Sequence, residues 1–139
     1  MDITLAYSDG FTELLLYFEV IIANGTATVA YRWFAPHHPS PHGEFALSVE
    51  MAKWAQIEHK LRDLAPYYGI TMDDLHSVDV WVRGSAIPDY QRSFYALGPN
   101  LYREYPALRG PLIEISQFVD FCKTRCYKIA IATLPQGRR

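Results

Sequence analysis

The sequence predicts an α+β fold: an antiparallel sheet built on an N-terminal three-stranded meander, covered on one face by a long amphipathic helix and shorter helices. Three observations predict it. Asn24-Gly25 stands between two strand-like runs, and a two-residue hairpin turn wants residues tolerant of positive φ. Asp9-Gly10 is a second such dipeptide and follows the alternating run Ile3 to Tyr7. From about Glu44 to Ala65 the apolar spacing then lengthens from that of a strand to that of a helix.

With Asn24-Gly25 as the turn, Ile22 faces Ala27, Val20 faces Val29, Phe18 faces Tyr31 and Leu16 faces Trp33. All of these pairs are apolar, and alternation puts them on one face. The other face carries Tyr17, Glu19, Thr28 and Arg32 among Leu15, Ile21 and Phe34. A slip of one residue would exchange the two faces, so the register is strongly specified. If Asp9-Gly10 closes the preceding hairpin, Leu5 faces Leu14 and Ile3 faces Leu16, joining the same apolar face. Two turns agreeing on one face is the consistency expected of a foldable sequence.

The stretch 35–43 holds three prolines and reads as a loop, since each proline removes a backbone donor. In the helix expected over 44–65, Leu47, Met51, Trp54, Ile57, Leu61 and Leu64 form one apolar stripe. Glu58 and Arg62 make an i,i+4 pair, and Pro66 and Gly69 end the helix. Thr71 to Asp74 has the form of a capping box opening a short helical turn. Val78, Val80 and Val82 alternate with polar neighbours as a fourth strand ending at Gly84. Pro88 suits a first helical position, and Tyr90, Phe94 and Leu97 follow at helical spacing until Gly98-Pro99. Residues 101–108 add a further turn. Leu112 to Ile115 reads as a brief strand or the start of a helix. Ser116 caps a helix to about Arg125 that puts Phe118, Val119, Cys122 and Cys126 on one side. Tyr127 to Leu134 alternates as a last strand, and 135–139 is a frayed tail. Nothing divides the chain, so 1–139 is expected to be a single domain.

Composition narrows the function classes. A chain of 139 residues, 50% hydrophobic and 20% charged, can bury one core without a metal or a disulfide. The net charge of −2, with basic residues clustered only at Arg138-Arg139 near Arg125 and Lys128, gives no basic stripe for nucleic acid. No secretory leader is expected, and the apolar run Leu14 to Ala23 is too short to span a bilayer, so no membrane association is expected. Two cysteines fit a reducing compartment, and the expected location is the cytoplasm.

The candidate chemistry is sparse. His37, His38 and His42 crowd the proline-rich loop and are the metal candidates, but no cysteine pair or acidic triad accompanies them, and no metal is expected. Cys122 and Cys126 stand four apart and read as buried thiols rather than a redox pair. Asp73, Asp74, His76 and Asp79 form the one local group with an acid/base repertoire, making His76, Asp74 and Asp79 the catalytic candidates. Asp73 and Asp74 are also explained as first-turn acids facing a helix dipole, and Asp79 as an outward strand residue. No phosphate loop, dinucleotide fingerprint, nucleophile elbow or zinc-protease motif occurs, so no cofactor is expected and the chain reads more as a binding protein than an enzyme.

The stretch Asp89 to Arg109 interleaves Tyr90, Phe94, Tyr95, Tyr102 and Tyr105 with Arg92, Arg103 and Arg109, the residue types enriched at interface hot spots. The expected function is therefore a small protein-binding module of the inhibitor or immunity type, which blocks a protein partner by occluding its surface. The partner would see Tyr95, Tyr102 and Arg103, and the mixed hairpin face through Tyr17, Glu19 and Arg32. The alternative is a small-molecule binder or small enzyme with a pocket between the sheet and helix 44–65, using His76, Asp74 or Asp79. A third class is a homo-oligomer that uses the same patch on itself.

Overall fold

The computed structural model describes residues 1–9, 15–34, 42–69 and 76–133. Strands β1 (Asp2–Ser8), β2 (Leu15–Ala23) and β3 (Thr26–Phe34) form the expected meander. Asn24 and Gly25 sit at φ 52° and 80°, as the tight turn demands. They set the predicted register, with Leu16 opposite Trp33, Phe18 opposite Tyr31, Val20 opposite Val29 and Ile22 opposite Ala27.

The first hairpin differs from expectation. Leu5 pairs with Val20 rather than Leu14, and Ile3 with Ile22 rather than Leu16. Asp9 is not a central turn residue but the anchor of a longer connection. Its backbone N–H donates to the Leu16 carbonyl, and its carboxylate accepts from the Leu16 N–H, both at 2.9 Å. The shift is six residues, an even number, so the same apolar face is still buried.

The chain continues through β4 (His42–Ser48), α1 (Met51–Leu61), β5 (Tyr67–Tyr68), β6 (Ser77–Arg83), β7 (Tyr90–Tyr95), α2 (Pro99–Glu104), a 3-10 turn (Pro106–Leu108) and α3 (Arg109–Thr133). The strands make one sheet in the order β4-β3-β2-β1-β6-β7-β5, antiparallel throughout except for the short β5–β7 pair.

Three expectations are corrected. The helix over 44–65 is a strand, β4, followed by the shorter α1. Gly43, Phe45 and Leu47 alternate toward the core and complete the outer edge of β3, a non-local demand that outweighs the helical spacing of Leu47 and Met51. The helix expected around Tyr90, Phe94 and Leu97 is strand β7. Residues four apart share a face in either structure, and pairing with β6 decides the matter. The last strand, expected over Tyr127 to Leu134, is helical from Tyr127 to Thr133 as the C-terminal part of α3, and Leu134 lies outside the described residues. That helix carries Leu112, Ile115, Val119, Cys122 and Cys126 to the core, and no proline interrupts it between Pro111 and Pro135. β-Branched residues cost a helix only about 0.5 kcal/mol each, too little to end it.

Ile3, Leu5, Tyr7, Leu16, Phe18, Val20, Ile22, Val80, Val82 and Phe94 point to one face of the sheet and are buried there. The helices cover that face. α3, at 25 residues about 37 Å long, is the long helix of the fold. α1 lies beside it, with Trp54 edge-on to Phe118 at 5.1 Å. Of the proline-rich loop expected over 35–43, His42 and Gly43 instead open β4, where they pair with Arg32 and Tyr31, and the remainder, with His37 and His38, lies outside the described residues, as do the capping box with Asp74 and the terminal tail.

Candidate functional site

Among the described residues nothing covers the second face of the sheet. The pairing registers place His42, Arg32, Tyr17, Ser8, Ser77 and Tyr95 side by side in one row that crosses six strands. The next row carries Glu44, Ala30, Glu19, Ala6, Asp79, Ser93 and Tyr67. Four of the six partner-binding candidates, Tyr17, Glu19, Arg32 and Tyr95, therefore share one surface. Tyr17 and Tyr95 stand three strand spacings apart, roughly 14 Å, with the small Ser8 and Ser77 between them.

Two open grooves mark this face. One, of about 470 Å³, runs over β2, β3 and β4 and is walled by Tyr17, Glu19, Ile21, Arg32, His42 and Glu44. The other, about 380 Å³, lies by Tyr67, Gln91, Ser93 and Tyr95. Glu19 accepts a 3.3 Å hydrogen bond from the Tyr17 hydroxyl, and no Glu19–Arg32 ion pair forms. Partial burial, then the Glu19 carboxylate, push the Tyr17 phenol above its usual range, so it stays neutral and donates. Ile21 and Phe34, 50% and 43% exposed, and Tyr67, 68% exposed, add apolar area to the same face.

Tyr102 and Arg103 lie elsewhere. Both are on α2, in the helical layer across the sheet from Tyr17. The Tyr102 ring packs against the core and its hydroxyl is buried, so truncating it would read on stability. Arg103 is exposed beside Arg109 and Ile113 on a separate groove. Tyr95 reaches the open face because β7 is a strand, a placement that the expected helix did not provide.

The acid/base candidates do not converge. His76 Nε2 lies 3.1 Å from the Leu97 carbonyl oxygen, with its ring over Tyr7 on the helix-covered side. Asp79 projects from β6 to the open face, paired across from Ala6 and Ser93. His42 is exposed on β4, and among the described residues no three His, Cys, Asp or Glu side chains gather in a group that could hold a metal.

Cys122 and Cys126 are free and buried on α3, and burial pushes both thiols up to about 12. Ellman's reagent at pH 8 is expected to label neither thiol in the folded chain and both in urea. Prompt labelling of the folded chain would mean that α3 does not hold this face against the sheet.

Two polar clusters have members that sequence reading missed: all the partners of Asp9, and Tyr90 beside the expected Glu58–Arg62 pair. One joins Asp9 to Tyr7, Leu16, Lys123 and Tyr127; the other joins Glu58 to Arg62 and Tyr90. Both pin helices to the sheet rather than opening to a cavity. No protein-family model matches this sequence, and neither does any curated protein.

Proposed function

We propose that this chain is a protein-binding module of the inhibitor or immunity type, acting in the cytoplasm, which occludes a partner's surface with the uncovered face of its sheet. The observation that carries the reading is the row containing Arg32, Tyr17 and Tyr95 on that face, together with exposed Ile21, Phe34 and Tyr67. Tyr and Arg give large contact areas at small entropic cost and dominate interface hot spots. The seven strands span roughly 30 Å, comparable to a standard protein footprint, whereas the grooves are open rather than enclosing. No helix among the described residues is long and apolar enough to cross a membrane.

The small-molecule alternative finds less support. The groove where the end of β4 meets α1 and α3 is about 530 Å³, but neither His76 nor Asp79 lines it.

The test uses the tagged chain to capture its partner from native cytosol, followed by affinity measurement with variants. Replacing Tyr17 and Arg32 together by Ala should weaken binding at least about thirtyfold while leaving the melting temperature unchanged. Arg103→Ala should bind as the parent does. The reverse pattern would transfer the role to the groove beside α2, and capture of a small molecule alone would overturn the protein-binding reading.

A further inference from the structure

The two edges of the sheet are unlike. At one end β5 has only two residues, held between Pro66 and Gly69, a short and blunt edge. At the other end β4 runs seven residues, paired with β3 without a bulge from Thr26–Ser48 to Arg32–His42. It contains no proline and no lysine, and among the described residues no strand pairs with its outer side. Monomeric proteins guard edges of this length with charge, proline, bulges or a cover, because the unpaired backbone groups template another strand.

The orientation of those backbone groups follows from one hydrogen bond. Val49 N–H donates to the Gly25 carbonyl at 3.0 Å, so alternation turns the amides of Gly43, Phe45 and Leu47 toward β3. The N–H and C=O groups of His42, Glu44, Ala46 and Ser48 therefore point outward. We propose that this edge joins two copies of the chain, β4 to β4 and antiparallel about a two-fold axis at Phe45, into one continuous sheet with the helices of both copies on the same side.

That register is self-complementary. All four outward residues find partners, His42 with Ser48 and Glu44 with Ala46 of the second copy, giving roughly eight backbone hydrogen bonds. On the helix side Phe45 meets its own copy, and Leu47 faces Gly43, which lacks a side chain. Among the strand residues no like charges oppose one another, whereas a pairing centred on Glu44 would set two carboxylates face to face.

The helical layer supplies a second observation. Arg125 of α3 stacks on the Phe45 ring at 4.3 Å, and Phe121, one turn before it, is 54% exposed. Phe121 also borders the groove at this same edge, where Leu47, Val49, Trp54 and Phe118 are flanked by Glu50, Lys53 and Glu114. A second copy paired on β4 brings its own α3 alongside and covers this strip, whereas an isolated peptide strand would leave Phe121 in water. A heterologous partner strand is therefore the less favoured occupant.

Sedimentation equilibrium of the full chain, from about 1 to 100 µM, tests the proposal. A reversible dimer of twice 15.9 kDa is expected. Ala46→Pro removes an outward N–H without touching the β3 ladder and should raise the dimer dissociation constant at least about tenfold. Two charge variants read the register without relying on proline. Ala46→Glu sets glutamate against Glu44 twice and should weaken the dimer, while Ala46→Lys sets lysine there and should preserve or tighten it. A mass that stays at 15.9 kDa across the range overturns the proposal, as does a dimer indifferent to all three variants. Capture of a partner through Tyr17 and Arg32 should survive Ala46→Pro, so failure here is distinguishable from failure of the open-face reading.

Discussion

Replacing Asp9 by alanine is expected to destabilise the chain by about 3–5 kcal/mol, a fall in melting temperature of roughly 10–20 °C. The Asp9 side chain is 7% exposed, and its two oxygens take three donors. Tyr7 donates to Oδ1, while the Leu16 N–H and the Tyr127 hydroxyl donate to Oδ2, each at 2.9 Å. Lys123 Nζ lies 4.0 Å from Oδ1 and also over the Tyr7 ring, placing a cation beside the carboxylate. Alanine would leave three part-buried donors without their acceptor, and each stranded group costs about 1–3 kcal/mol. It would also release α3 from the β1–β2 connection, since Lys123 and Tyr127 both belong to that helix. Asp9→Asn should fall between, because one amide oxygen can replace only part of the carboxylate. A loss under 1 kcal/mol on chemical denaturation would mean that these groups are satisfied by water in solution.

The same cluster fixes the alkaline limit of the fold. Tyr7 and Tyr127 are pushed above the ordinary phenol value of 10.0, first by burial and then by the hydrogen bond to Asp9. A group raised in the folded state contributes stability that is complete below its unfolded value and is lost as pH rises beyond it. In the Asp9→Ala variant the decline should therefore be shallower above pH 10, because part of what raises the two phenols has gone.

What could be read from the residues alone follows the distance over which each decision is made. The β2–β3 register was legible because Asn24-Gly25 sets the turn and four facing pairs are apolar, a local matter. Tyr17 beside Arg32 followed from it directly. β7 was not legible, because the four-residue step from Tyr90 to Phe94 satisfies a strand and a helix equally, and the open edge of β6 made the choice. Tyr95 thus reached the open face for a reason that no local pattern contains. Asp9 is the clearest case. It looked like half of a turn dipeptide, yet its ligands include Tyr127, 118 residues away. Local signals name the strands; the sheet assigns what the ambiguous segments become.

Glu58 is expected to set the acid limit of stability in the same way that Asp9 anchors the opposite side of the helical layer. It is 2% exposed on α1, and both its oxygens receive the Arg62 guanidinium at 2.6 Å. The i,i+4 pair expected from sequence is therefore present, but it is buried and extended by the Tyr90 hydroxyl of β7, 2.7 Å from Oε2. Arg92, stacked on the Tyr90 ring, closes the arrangement by donating to the Leu61 and Arg62 carbonyls at the C-terminus of α1. The Arg62 hydrogen bonds hold the Glu58 carboxyl below its ordinary value of 4.5 against the opposing effect of burial, and Tyr90 adds to the lowering. A carboxyl lowered in the folded state contributes stability that is complete above the unfolded value and is lost as pH falls through the folded one. Thermal stability should hence decline progressively below about pH 4.5. Glu58→Ala should cost about 2–4 kcal/mol at pH 7, the lower part of that range reflecting an Arg62 side chain that is 21% exposed and can turn to water. Its cost should shrink as pH falls below 4.5, since the parent progressively surrenders the same interaction. Glu58→Gln keeps the shape and one acceptor, so it should sit between the two and flatten the acid limb. If the parent and Glu58→Ala instead lose stability in parallel from pH 7 to 3, acid unfolding is governed by other carboxylates, and the clamp acts through packing alone.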